Sequence, residues 1–312
     1  MLIDSATEIL HGVPAGFQHD AFIYNDDEEF VRNTAPFVRE ALHAGHFVAV
    51  ALPPTQIEWL RGALGSSADQ AQFVDMIEAG GNPGRIIPFW QRVLDQHPGR
   101  AISGIGEPAY VGRTATELDE AKLHEALLNL AFEHSGPFRL RCPYDASLIS
   151  SCLDPAESHP SMVGAEADGY SPALARRMFR TPLPGVPANA ERIDFELWDL
   201  TKLRYWVNAQ ARLHGMSAER VSDLTLALHE ICTNSIRFGG GRGTLSLWIA
   251  DGSLICDVAD NGLIDDLLVG RVLPPLEGLG GRGVWLANQL CDLVQIRSGA
   301  SGTQVRLHTR LR

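Results

Sequence analysis

Glu230 and Asn234 stand four residues apart in "HEICTNSIRFGGG", so on a helix they share one face. The amide oxygen of an Asn suits Mg2+, a cation that takes hard oxygen ligands and keeps several of its waters. A carboxylate beside it can orient or deprotonate a nucleophile. An ordinary solvated helix face carries the same pair, so the reading needs support from elsewhere in the chain. Downstream, Asp260 closes the run "LICDVAD" and Gly262 follows it. An Asp at a strand end can accept a hydrogen bond from an adenine amino group, or simply turn the chain. Further on, "GLGGRGVWLANQLCD" carries Gly-x-Gly-x-x-Gly at Gly278, Gly280 and Gly283.

The context of that glycine pattern argues against a dinucleotide fingerprint, which needs a strand before it, a helix after it and an acid about 20 residues on to hold a ribose. The helix is present, because Val284, Leu286, Ala287, Leu290 and Leu293 recur at helical spacing. The strand is not: Pro274-Pro275 precede the glycines, and prolines are excluded from a buried parallel strand. At the distance where the acid belongs stands Thr303. What remains is a glycine-rich loop entering a helix N-terminus, a ready anion site, or a flexible linker.

The elements that must position these groups follow "RTPLPGVPANA", Arg180 to Ala190. Its prolines and glycine read as an extended linker, so the expected organisation is a domain over 1–180, a linker over 181–190 and a second domain over 191–312. After the linker, "RIDFELW" is a strand candidate and "LTKLRYWVNAQARLHG" a helix ending at Gly215. The next helix has Ser217 as N-cap and Gly239 as its stop. A hairpin turning at Asp251-Gly252 follows, and "LVQIRSGASGTQVRLHTR" closes the chain as a second hairpin. An antiparallel sheet with helices grouped to one side is an α+β sandwich. Before the linker, "HFVAVALP", "RAISGIGEP" and "PFRLRCPYD" read as strands, and "EEFVRNTAPFVREALHAG" and "ELDEAKLHEALLNLAFEH" as amphipathic helices between them. That alternation predicts an α/β layer on a largely parallel sheet.

The order of the C-terminal motifs resembles the GHKL ATP-binding fold, and most closely the anti-sigma-factor serine kinases. "HEICTNSIRFGGG" looks like their N box, "DVADNG" their first glycine box, "GGRGVWLANQLCD" their second and "GTQVRLH" their closing strand. The resemblance covers about Ala188 to Arg312 and implies ATP and Mg2+ as cofactors. It implies Glu230 as general base and Asn234 as Mg2+ ligand and part of the nucleotide site. It also implies Asp260 as adenine acceptor with Gly262 at its turn, Gly280, Gly281 and Gly283 at the phosphates, and Thr303 near the base. The glycine loop is then the ATP lid. The family's first glycine box usually reads Asp-x-Gly-x-Gly or -Ala, whereas here Ile264 takes the place of a small residue. Asp265 and Asp266 follow it, and the lid is short.

The N-terminal half resembles the MEDS sensory domain, a RecA-like module of bacterial regulators, through "HDAFIY", "GEPAYVGR", "LHEALLNLAF", "CPYD" and "SHP". No Walker loop occurs, so the resemblance implies sensing of an unknown small molecule rather than ATP hydrolysis. His19 and Tyr24 are the first candidates to touch that ligand, followed by Glu107, His124, Cys142 and Tyr144. Glu125, Asp145 and His159 are further polar groups of this half. For each of these, a hydrogen-bonded core or rim residue is the plainer reading. Cys142 has no base near it in sequence, and His43 and His46 are too isolated for a metal site.

Bulk properties bound the function. The 312 residues are 45% hydrophobic and 21% charged, which fits about two globular domains. No apolar run approaches the roughly 20 residues of a membrane span, and the N-terminus lacks the pattern of a signal peptide. A net charge of −12 argues against direct nucleic-acid binding. The five scattered cysteines suit a reducing cytoplasm. The expectation is a cytoplasmic regulator whose kinase module phosphorylates a Ser or Thr of a protein partner, an anti-sigma-factor antagonist. One alternative is a module that binds nucleotide, or nothing, and sequesters an antagonist or a sigma factor. The other is a sensor histidine kinase with His124 as phosphoacceptor. A homodimer is left open.

Overall fold

The computed structural model describes residues 16–150, 153–164, 168–274 and 282–311. The N-terminal half runs β1 (Phe17–Tyr24), α1 (Asp27–His43), β2 (Phe47–Leu52), α2 (Pro54–Leu64), β3 (Gln72–Asp75), α3 (Met76–Ala79), α4 (Ile86–Gln96), β4 (Ile102–Gly106), α5 (Ala115–Ala131), β5 (Phe138–Asp145), β6 (Ser161–Met162) and α6 (Leu174–Arg180). Its six strands are ordered β3-β2-β4-β5-β1-β6, and every pairing is parallel. The expected α/β layer is therefore present. β2 and β4 are buried along almost their whole length, as strands covered on both faces must be. Gly104 has a packing reason: a β-carbon there would stand 2.8 Å from the Trp90 ring. The strands β3 and β6, of four and two residues, are too brief to read from sequence, and the 11-residue helices α2 and α4 were not anticipated.

The other half runs β7 (Glu191–Glu196), α7 (Leu200–Leu213), α8 (Ala218–Phe238), β8 (Arg242–Ala250), β9 (Ser253–Asp260), α9 (Arg282–Leu290), β10 (Leu293–Gly299) and β11 (Gly302–Arg310). Its sheet is antiparallel throughout, in the order β10-β11-β9-β8-β7. The Ser217 side chain accepts from the Arg220 N–H to open α8, and Gly239 ends the helix. Asp251 and Gly252 turn the first hairpin, both at positive φ, the conformation a two-residue hairpin loop requires. On one sheet face the cross-strand neighbours Cys256–Leu307 and Val258–Val305 are buried, and α8 packs against these strands. The alternating face carries Asp257, which receives Arg306 at 2.8 Å. This is the expected α+β sandwich.

The halves share a buried boundary. Glu120 of α5 accepts from Arg297 at 2.5 Å and Arg271 at 3.1 Å. Arg85 donates to the backbone carbonyls of Asn288, Gln289 and Cys291 at 2.8–2.9 Å. Those are the orphan acceptors at the C-terminal end of α9, and a cation there also suits the helix dipole. Among the described residues, no helix is long and apolar enough to cross a membrane.

Candidate functional site

A cavity of about 290 Å³ lies between α8, the ends of β9 and β11, and the segment after β9. Asn234, Asp260, Gly262 and Thr303 all line it, so residues chosen from separate motifs meet in one place. Its size is near the lower end of the roughly 300–1,000 Å³ usual for ligand sites. A larger cavity of about 580 Å³ between the linker, the start of α5 and the open face of the antiparallel sheet contains none of these residues.

Asp260 Oδ1 accepts the Gly262 N–H at 2.7 Å. The carboxylate is wedged against Gly239, where a β-carbon would stand 2.4 Å from Asp260 Cγ. Thr303, opposite Asp260 in register, donates to the Gly262 carbonyl at 2.9 Å. Its one proton is so engaged, and the Ser298 hydroxyl 2.8 Å away must donate to it. Ser298 in turn accepts the Ile264 N–H at 2.8 Å. This chain of bonds sets the shape of residues 262–264. Thr303 thus acts on the loop as much as on any base.

Glu230 does not line the cavity but stands beside it. A β-carbon on Gly283 would lie 2.8 Å from Glu230 Oε2 and 3.2 Å from Asn234 Nδ2, so the first turn of α9 is seated on the acid-amide face of α8. Gly280 and Gly281 lie outside the described residues. Ile264 forms part of the cavity wall. Asp265 pairs with Arg180 at 3.0 Å, and Asp266 accepts the Leu268 N–H at 2.9 Å, so both acids have local partners. A carboxylate and an amide oxygen one turn apart are hard donors of the kind Mg2+ takes, and the residues present fit that ion.

The candidate sensor residues separate into two groups and one outlier. Tyr24 and Glu107 meet at the C-terminal ends of β1 and β4: Tyr24 donates to Glu107 Oε1 at 2.7 Å and accepts from Gln56 at 3.0 Å. Burial pushes the Glu107 carboxyl up to about 8 and the Tyr24 phenol up as well. His19 of β1 and Cys142 of β5 belong to a different cluster, 3.4 Å apart, because Cys142 pairs with Ala21 across the parallel strands. The nearby base that sequence could not offer Cys142 is His19. Glu125 of α5 and His159 complete this cluster, with Glu125 Oε2 3.0 Å from Nε2 of each histidine. Tyr144 packs edge-on against His159. Burial pushes the His19 imidazole below its ordinary value and the Cys142 thiol well above it.

His124 joins neither group. It is 0% exposed, neither ring nitrogen has a hydrogen-bond partner among the described residues, and burial brings it down to about 3. A phosphoacceptor has to be reached from solvent, so the histidine-kinase reading through His124 fails. Glu125 and His159, named from sequence only as further polar groups, join the cluster, and Asn129, 3.1 Å from His19 Nδ1, is the residue that sequence reasoning passed over. The one available signal was Glu125 and Asn129 standing four apart on a helix, one face again.

Known proteins bear on both halves. Residues 18–160 match the model of the MEthanogen/methylotroph, DcmR Sensory domain (MEDS), and residues 193–309 match that of the histidine kinase-like ATPase domain. No curated protein matches the chain. Among solved structures, the RsbU and RsbW domains of a Mycobacterium tuberculosis protein align at 19% identity and TM-score 0.31, over 40% of this chain and 33% of that one. A DnaB-like replicative helicase, solved with regard to its interactions with primase, aligns at 10% identity and TM-score 0.31, over 85% of this chain and 64% of that one. The chain thus spans a third of the length of the first of these, and scores this low carry no functional inference. The two domain matches agree with the two sheets: the chain is a MEDS sensory domain followed by a histidine kinase-like ATPase domain.

Proposed function

We propose that this protein is a cytoplasmic signalling regulator in which the sensory half governs an ATP-binding serine/threonine kinase module of the anti-sigma-factor type. The observation that carries the reading is the meeting of Asn234, Asp260, Gly262 and Thr303 around one cavity. In this reading the Asp260 carboxylate would accept a hydrogen bond from the adenine amino group. Asn234 holds Mg2+, which screens the phosphates when bound. Glu230 accepts the hydroxyl proton of a Ser or Thr on the partner, an anti-sigma-factor antagonist. Catalysis is then mostly positioning and charge neutralisation.

The boundary assigned to 181–190 separates the two modules. The segment is extended and largely exposed, with Leu183 buried, and limited proteolysis should cut within it. Protection of this stretch with cleavage only elsewhere would reject the boundary.

A second reading, partner binding without turnover, is favoured by Ile264 in the cavity wall and by the seating of α9 on Glu230. Here a sigma factor or its antagonist is sequestered rather than phosphorylated. ATP titration by calorimetry with and without Mg2+, beside labelled phosphate transfer to a candidate antagonist, separates the two. Absence of ATP binding under both conditions would reject the kinase reading and the nucleotide site together.

A further inference from the structure

His19, Glu125, Cys142 and His159 each aim one ligand-type atom at a common point, all within 4.8 Å of one another. They come from β1, α5, β5 and the segment after Pro155–Glu157, and all are at most 3% exposed. The protonation pattern around them can be read from fixed neighbours. Asn129 Nδ2 donates to the Ser158 carbonyl at 2.8 Å, which orients its amide. Asn129 Oδ1 therefore faces His19 Nδ1 at 3.1 Å, and an oxygen there can only accept. His159 Nδ1 faces the Pro155 carbonyl at 2.8 Å, another acceptor, and the Ser158 hydroxyl at 3.1 Å, which turns its own proton to that carbonyl at 3.3 Å. Both histidines thus carry their proton on Nδ1, and both Nε2 lone pairs point into the cluster.

His19 Nε2 can accept the Cys142 thiol proton at 3.4 Å. His159 Nε2 has no such donor among the described residues: it faces Glu125 Oε2 at 3.0 Å, and neither atom has a well-aligned hydrogen-bond partner among them. Glu125 Oε1 is likewise unpartnered. A lone pair held that close to a carboxylate in a dry interior calls for a positive centre between them. An additional proton is one answer, but it leaves four converging ligand atoms unexplained.

We propose that His19, Glu125, Cys142 and His159 form a closed four-coordinate site for a divalent transition metal, zinc by the chemistry of the donors. Two neutral imidazoles, one carboxylate and one thiolate offset the charge of a divalent ion. Tetrahedral zinc with bonds of about 2.0–2.3 Å sets its ligand atoms about 3.3–3.8 Å apart, which the distances here bracket. The sulfur and nitrogen donors disfavour Mg2+ and Ca2+. Asn129 and the Pro155 carbonyl supply the outer hydrogen bonds that orient ligating histidines. The ion would tie β1, β5 and α5 together, and α5 also carries Glu120 at the boundary with the ATPase half.

The test uses the full chain, exposed to zinc during purification and dialysed, with metal content measured by mass spectrometry. One tightly held zinc per chain is expected. Cobalt in its place should give sulfur-to-metal charge-transfer absorption. X-ray absorption on the zinc-loaded parent should show one sulfur and three nitrogen or oxygen neighbours, a readout that needs no variant to fold. Cys142→Ser should lose the charge-transfer band and His159→Gln should lower metal retention at least tenfold. A metal-free parent that takes up neither zinc nor cobalt would reduce the cluster to a proton-bridged network and overturn the proposal. So would a first shell without sulfur, or metal retained undiminished in both variants.

Discussion

Gly283 lies so close to Glu230 that a β-carbon on it would stand 2.8 Å from the carboxylate oxygen Oε2. The helix that follows the glycine-rich loop and the proposed catalytic acid are therefore one packed unit. Gly283→Ala must displace either α9 or the acid-amide face of α8, and overpacking of this kind costs about 1–3 kcal/mol. The expected outcome is a several-fold loss of ATP affinity by calorimetry, with a lower unfolding midpoint. Unchanged affinity would separate Gly283 from the nucleotide site.

Glu230 and Asn234 share a face but should fail differently. Asn234→Ala is expected to weaken Mg2+-dependent ATP binding and any phosphate transfer together. Glu230→Gln should keep ATP affinity and lower transfer by about 10²–10⁴, the usual loss for a general base. A transfer rate that survives Glu230→Gln would dismiss this acid as the base.

Arg297 and Arg271 both depend on Glu120, at 2.5 and 3.1 Å, and all three are nearly buried. Removing one member of such a group leaves uncompensated charge, typically a loss of about 3–5 kcal/mol. Glu120→Ala should lower the stability of the full chain by about that much in denaturant unfolding, and Glu120→Gln by less. If Glu120→Ala unfolds with the parent's midpoint and slope, this contact does not hold the halves together.

Glu107 gives a pH dependence of defined sign. Burial raises its carboxyl from 4.5 to about 8 in the folded chain, with Asp145 adding to the rise and the Tyr24 hydrogen bond opposing it. Between those values the folded state holds a proton that the unfolded state has released. Stability therefore falls as pH rises through this window, with a limiting slope of about 1.4 kcal/mol per unit. It levels off above about 8. Glu107→Gln keeps the shape and removes the proton, so the difference in unfolding free energy between variant and parent should widen from pH 5 to 8. A constant difference would mean that Glu107 is ionised in the folded protein.

Much of this protein was legible along the chain because helices and hairpins obey local periods. Glu230 and Asn234 share a face because four residues make one helical turn. Ser217 and Gly239 mark the ends of α8 by their capping chemistry, and Asp251-Gly252 turns a hairpin because both positions need positive φ. Those signals, with the order of the motifs, carried the two domain types and pointed to Asn234, Asp260, Gly262 and Thr303, which line one cavity.

The cluster of His19, Glu125, Cys142 and His159 was not legible, and neither was the grip of Glu120 on Arg271 and Arg297. His19 reaches Cys142 across 123 positions only because β1 lies beside β5 in the sheet, an order set by how crossover helices pack rather than by either strand's own residues. Glu125 joins them because α5 lays one face on those two strands. A local pattern specifies which side of an element a residue occupies. Which other element covers that side is decided by the burial of all of them at once, so the partners of a buried polar group appear only when the chain has closed around it.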